Sequence, residues 1–151
     1  MTNEKKLKLF LVDDDALFLK ALEFEFIQNS DYIIEAFATG ELCIEKLRQS
    51  NRNPADKPDV VILDYHLDGI DATAMNGLDT LDKIKAFNPQ IPVIMLSSQD
   101  KIDVAVNCMK HKAFDYIIKS ETAFLRLQKA IAGILQSQKT EKELSWYMDR
   151  M

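Results

Sequence analysis

Apolar residues along this chain come in five short blocks: 7–12 (LKLFLV), 32–37 (YIIEAF), 60–63 (VVIL), 91–96 (IPVIML) and 114–119 (FDYIIK). Most are near-continuous rather than alternating and rich in Val, Ile, Leu and aromatic residues, the pattern of strands covered on both faces. Pro92 stands near the start of its block, where a missing N–H donor is tolerated. Between the blocks the apolar spacing lengthens to that of helices. Residues 15–29 carry a broad apolar face with Leu17, Phe18, Ala21, Leu22 and Phe26, and residues 40–49 place Cys43 and Leu47 four apart. Residues 77–87 align Leu78, Leu81 and Ile84, and residues 101–111 align Ile102, Ala105, Val106 and Met109. A last helix starts near Glu121. The polar, proline-bearing segment 49–59 (QSNRNPADKPD) reads as a surface loop.

Strict alternation of strand and helix predicts an α/β fold, a doubly wound parallel sheet with right-handed crossovers. Five strands suit the flavodoxin-like (βα)5 arrangement with strand order 2-1-3-4-5. The final helix is longer than such a domain needs. One apolar stripe (Phe124, Leu127, Ile131, Ile134) lapses at Gln138 and Glu141, and a second resumes at Leu144, Tyr147, Met148 and Met151. The chain therefore divides into a domain at 1–137 and a helical extension or linker at 138–151, which projects, folds back or frays. Trp146 and Tyr147 suit an interface there.

Composition narrows the class without naming a function. At 151 residues, with 47% hydrophobic and 28% charged residues, one ordinary domain can bury its own core. A net charge of −5 argues against direct nucleic-acid binding, and Lys101, Lys110 and Lys112 read as a solvated helix face. Cys43 and Cys108 lie in apolar contexts and read as buried small side chains in a reducing compartment. Lys8 and Asp13 interrupt any N-terminal apolar run, and no block approaches the ~18 residues that cross a membrane. The expected location is cytoplasmic.

The informative residues follow the strands. In such sheets a site forms at the carboxyl ends, beside the switch in strand order. The first strand runs into Asp13, Asp14 and Asp15, the third into Asp64, the fourth into Ser97 and Ser98, and the fifth into Lys119. Asp15 serves as a helix cap. The other carboxylates crowd one another: two unit charges ~4 Å apart repel by about 4 kcal/mol at a surface-like dielectric. Carboxylates without thiolate or histidine partners fit magnesium. Lys119 adds a second positive charge, and a phosphoryl group fits between cation and ammonium, with a hydrogen bond from Ser97. A carboxylate can act as nucleophile and yield an aspartyl phosphate.

FLVDDD, VVILDYHLDG, VIMLSS and FDYIIKS together resemble the four signature segments of the response-regulator receiver domain of two-component signalling. The resemblance implies that Asp64 is the phosphoacceptor. It implies that Asp14 binds Mg2+ directly, Asp13 largely through water, and His66 through its main-chain carbonyl. Ser97 takes the switch-hydroxyl position, Tyr116 the switch aromatic, and Lys119 the phosphate-binding lysine. The phosphodonor is then a sensor histidine kinase or a histidine phosphotransfer protein. An output protein, or a homodimer through helix 4, strand 5 and helix 5 or through the C-terminal helix, reads the signal. The protein is then a switch without independent substrate turnover, either a stand-alone receiver or relay intermediate, or the N-terminal part of a longer regulator.

Three departures from the pattern stand out. Asp68 replaces a proline four residues after Asp64, the stretch 68–77 (DGIDATAMNG) is longer than usual, and Ser120 replaces the proline after Lys119. A cis bond before a non-proline residue costs roughly 2.5–4 kcal/mol, so a trans 119–120 bond is expected. Two rival readings are weaker. DYHLDG grazes a calcium-loop pattern but has His66 and Met75 where ligands belong. Asp13 and Asp15 could form the DxD of a haloacid-dehalogenase-like phosphatase, but its later acidic pair and cap domain are missing.

Overall fold

The computed structural model describes residues 6–151. Five strands, β1 (Lys8–Val12), β2 (Ile33–Phe37), β3 (Val60–Asp64), β4 (Val93–Ser97) and β5 (Asp115–Ile118), form one parallel sheet in the order β2-β1-β3-β4-β5. Five helices alternate with them: α1 (Ala16–Asn29), α2 (Gly40–Gln49), α3 (Gly77–Phe87), α4 (Ile102–Lys110) and α5 (Ala123–Asp149). The expected α/β architecture and strand order are those observed. The 49–59 connection contains a single 3-10 turn at Pro54–Asp56, which Asn53 caps by accepting from the Ala55 amide.

Near-continuous apolar runs in β1, β3 and β4 follow from helices on both faces, and all three strands are buried along their whole length. Strand pleating sends alternate residues to opposite sides. Leu9, Leu11, Val60, Ile62, Ile94 and Leu96 meet Leu22 and Phe26 of α1 and Leu127, Ile131 and Ile134 of α5. Phe10, Val12, Val61, Leu63, Val93 and Met95 meet α2, α3 and α4 through Cys43, Leu47, Leu81, Ile84 and Cys108. Each fully buried aliphatic or aromatic side chain stabilises by roughly 1.5–3 kcal/mol. Both cysteines are free and buried, as their apolar surroundings predicted. β2 lies at the sheet edge and is only half covered.

Capping sets where the helices start. Asp15 accepts hydrogen bonds from the Leu17 and Phe18 amides at 3.1 and 3.2 Å, so α1 begins directly beyond the aspartate run. Thr39 caps α2 and Asn76 caps α3 in the same way. The last buried residue of α5 is Ile134, and the helix continues unbroken to Asp149 with its remaining residues exposed. Beyond Ile134 the helix runs on for about 22 Å, at 1.5 Å per residue. Among the described residues there is no cis peptide bond, so the 119–120 bond is trans. No described helix is long and apolar enough to cross a membrane.

Candidate functional site: an acidic pocket at the carboxyl edge of the sheet

Strand register brings the chemistry together. Val12 pairs with Leu63, so Asp13 falls level with Asp64, and Asp64 pairs with Leu96, so Ser97 stands one residue further along the neighbouring strand at the same edge. Ser97 pairs with Ile118 in β5, and the Lys119 amide donates to the Ser97 carbonyl at 2.7 Å. That bond fixes the lysine at the same edge.

One carboxylate oxygen from each of Asp13, Asp14 and Asp64 lies within 4.8 Å of the others. Asp13 and Asp64 are each only 3% exposed, while Asp14 stands at the half-buried rim. The Lys119 ammonium sits 2.8 Å from Asp13 Oδ2 and 3.5 Å from Asp64 Oδ2. Asp13 Oδ2 has no other polar partner, and its Oδ1 accepts from the Asp15 amide at 2.9 Å. Asp64 Oδ1 accepts from the His66 amide at 3.3 Å. Asp14 Oδ2 accepts from the Gly69 amide at 3.1 Å.

Burial pushes the Asp64 carboxyl up from the ordinary range to about 7, and the neighbouring Asp13 charge pushes it the same way, against the pull of Lys119. Burial draws the Lys119 ammonium down, but Asp13 and Asp64 more than reverse this and hold it above the usual lysine range. Three carboxylates against one ammonium leave a deficit of two positive charges. All the donors are hard oxygens, which is the donor set of Mg2+.

The switch candidates meet at one residue, Gln99. Ser97 is fully buried, and its hydroxyl accepts from the Gln99 amide at 3.0 Å. The Tyr116 hydroxyl donates to the Gln99 carbonyl at 2.6 Å, so its ring is already turned toward the β4–α4 loop. Burial raises the Tyr116 phenol above its usual range. The His66 imidazole packs edge-on against Tyr65, and its Nε2 is buried without a hydrogen-bond partner. His111 pairs instead with Asp82 at 2.6 Å, joining α4 to α3.

Several contributors were not legible beforehand. The Phe18 ring lies 4.4 Å from the Lys119 ammonium, a cation–π contact that steadies it. Gly77 packs so closely on the main chain of Asp64 that a β-carbon there would collide with the Asp64 carbonyl oxygen. A glycine closing a long polar loop just before a helix was the one visible sign of that close approach.

Residues 9–132 match the family described as the response regulator receiver domain. The chain belongs to that family. The receiver is 30% identical over 115 residues to the transcriptional regulatory protein ZraR of Klebsiella oxytoca, covering 76% of this chain and 23% of that protein. It is 32% identical over 124 residues to a protein-glutamate methylesterase/protein-glutamine glutaminase of Clostridium acetobutylicum, covering 80% of this chain and 32% of that protein. In structure it is similar to the signal receiver domain of a LuxO repressor protein from Vibrio parahaemolyticus. There the TM-score is 0.75 and the identity 25%, covering 93% of this chain and 98% of that one. The receiver spans between 17% and 32% of the length of the curated relatives that it first matches. Membership in this family, a family of phosphoacceptor switches, decides against the phosphatase reading.

Proposed function

We propose that this receiver accepts a phosphoryl group on Asp64 from the phosphohistidine of a sensor histidine kinase or histidine phosphotransfer protein, with Mg2+ as cofactor. The observation that carries this is the buried pairing of Asp64 with Lys119 beside two further carboxylates. Asp13, Asp14, Asp64 and the main-chain carbonyl of His66 would hold the Mg2+, which neutralises charge on the phosphoryl oxygens. An Asp64 carboxylate oxygen attacks phosphorus, the bond from phosphorus to the donor imidazole nitrogen breaks, and the imidazole keeps the electron pair. Lys119 pairs with one phosphoryl oxygen, and the Ser97 hydroxyl turns from the Gln99 amide to donate to another. Losing that bond loosens Gln99, whose carbonyl also holds Tyr116, so the charge change at Asp64 redistributes the β4–α4 loop. The exposed stripe Ile102, Val106 and Met109 on α4, with β5 and α5, is the face offered to an output protein or a second copy.

Incubation with acetyl phosphate and Mg2+, followed by mass mapping, tests the assignment: one phosphoryl group should appear on Asp64, and label on any other residue refutes it. Asp14→Ala should weaken Mg2+ binding more than about tenfold in a calorimetric titration. Unchanged affinity would remove Asp14 from the ligand set.

The pH dependence follows from Asp64. Between about pH 4, where an unfolded aspartate ionises, and about 7, the folded protein holds a proton that the unfolded chain has released. This group therefore costs stability increasingly as pH rises through that window, and the cost levels off above it. Mg2+ must displace the proton below pH 7 and relieves repulsion above it. The Mg2+-induced rise in melting temperature should be larger at pH 8 than at pH 6. An equal rise at both pH values would contradict the shift.

We place the domain boundary at 137/138, supported by the end of α5 burial at Ile134, and the location in the cytoplasm. A stand-alone switch or relay intermediate is the primary reading. The greater length of the relatives favours a second, in which the same switch drives a module beyond residue 151. The reading frame after the Met151 codon distinguishes the two.

A further inference from the structure

The long 68–77 excursion touches the acidic pocket with both of its ends. On the outgoing limb, the Gly69 amide donates to Asp14 Oδ2, the one hydrogen bond that this carboxylate receives among the described residues. On the returning limb, the Gly77 amide donates to the Tyr65 carbonyl at 3.0 Å, and its α-carbon presses on the Asp64 main chain. Between them the excursion is tied down from outside. Glu41, in the first turn of α2, accepts the Met75 amide on Oε2 at 3.0 Å. Met75 immediately precedes Asn76, which caps α3. Within the excursion, Asp71 closes a local turn on Thr73.

We infer that Glu41 is a positioning residue for the Mg2+ site: by fastening Met75 it holds the 68–77 strap, and the strap's Gly69 amide orients the Asp14 carboxylate toward Asp13 and Asp64. Asp14 stands at the half-buried rim and, without that amide, would turn among rotamers that face solvent. A main-chain donor on Oδ2 fixes the carboxylate that lies within 4.8 Å of Asp13 and Asp64, so orientation is settled before the cation arrives. This inference rests on the reading of Asp14 as a Mg2+ ligand. The role belongs to the hydrogen bond and not to the negative charge of Glu41, which gives it a specific signature.

The test is a calorimetric Mg2+ titration of the full chain and its Glu41→Ala, Glu41→Gln and Asp14→Ala variants, with amide hydrogen exchange over residues 68–77. Glu41→Ala should weaken Mg2+ about three- to tenfold, less than the ten- to hundredfold typical when a ligand loses its own direct partner, and should speed exchange at Gly69 and Met75. Glu41→Gln keeps an acceptor for the Met75 amide and should bind within about twofold of the parent. Two results overturn the inference while leaving the site reading intact. One is wild-type affinity in Glu41→Ala. The other is equal loss in the alanine and glutamine variants, which would show a charge effect alone. A parent chain that binds no Mg2+, or an Asp14→Ala variant that binds as tightly as the parent, overturns the site reading and this inference together. Glu41 lies on the exposed surface at a helix start, so the variants should keep the parent's circular dichroism. A purely structural contact would alter the melting temperature without separating alanine from glutamine in Mg2+ affinity.

Discussion

Asp64→Asn is expected to reduce acetyl-phosphate labelling by at least about 100-fold, because an amide oxygen is no nucleophile toward phosphorus at neutral pH. The loss should come without unfolding. Asp64 is buried beside Asp13 and is held up to about 7 by burial and by that neighbouring charge. A neutral, nearly isosteric side chain therefore removes a repulsion present at pH 8. The variant should melt no lower than the parent in Mg2+-free buffer at that pH, while wild type and variant should converge near pH 5, where Asp64 is protonated. Two measurements are needed: intact mass after labelling, and thermal melts with and without Mg2+. Label on the asparagine variant at the parental rate would show that another residue accepts the phosphoryl group.

The second large effect is expected from Lys119→Ala. The ammonium lies 2.8 Å from Asp13 and 3.5 Å from Asp64 and rests on the Phe18 ring. Removing it leaves three carboxylates with no positive partner among the described residues. Breaking a buried pair costs up to about 3–5 kcal/mol when the remaining charge stays uncompensated. Here the lysine side chain is 18% exposed and Mg2+ can supply the missing charge, so the loss should be severe only in metal-free buffer. Mg2+ affinity should be retained or increased, since a competing cation is gone. The conformational response to beryllofluoride should disappear, because the group that pulls a phosphoryl oxygen toward β5 is absent. The single tryptophan, Trp146, sits on the exposed extension beyond the domain and cannot report on the pocket. Amide chemical shifts over residues 97–119 are the suitable readout. A full beryllofluoride response in the alanine variant would refute the role assigned to Lys119.

These two variants probe residues whose positions in the sequence already announced them. Asp64 and Lys119 each end an apolar run, and a buried parallel strand must surface at its carboxyl end, so a charge there stands at the sheet edge. Asp13 and Asp14 follow by the same logic, and Asp15 declares itself as a cap through the helix that starts after it. The contributors from loops and helix faces were hidden. Phe18 reads as one more apolar position of α1, and nothing local tells that its ring lies against the ammonium that follows β5. Gln99 serves through its main chain, which has no residue-specific signal. Glu41 resembles any acidic residue in a first helical turn, where the helix dipole alone accounts for it.

Apolar blocks of strand length, helical spacing between them and strict alternation determined the fold class and the edge at which chemistry collects, and suited the strand order that the sheet adopts. They suffice because burial on both faces is a local demand on each block. Tertiary structure alone decided which carboxylate pairs with Lys119, how the 68–77 strap reaches Asp14, and that Ser97 and Tyr116 both bond the main chain of Gln99. Those contacts join residues tens of positions apart, and their geometry depends on strand register and loop path. Side chains that meet across such separations leave no period in the sequence by which to find them.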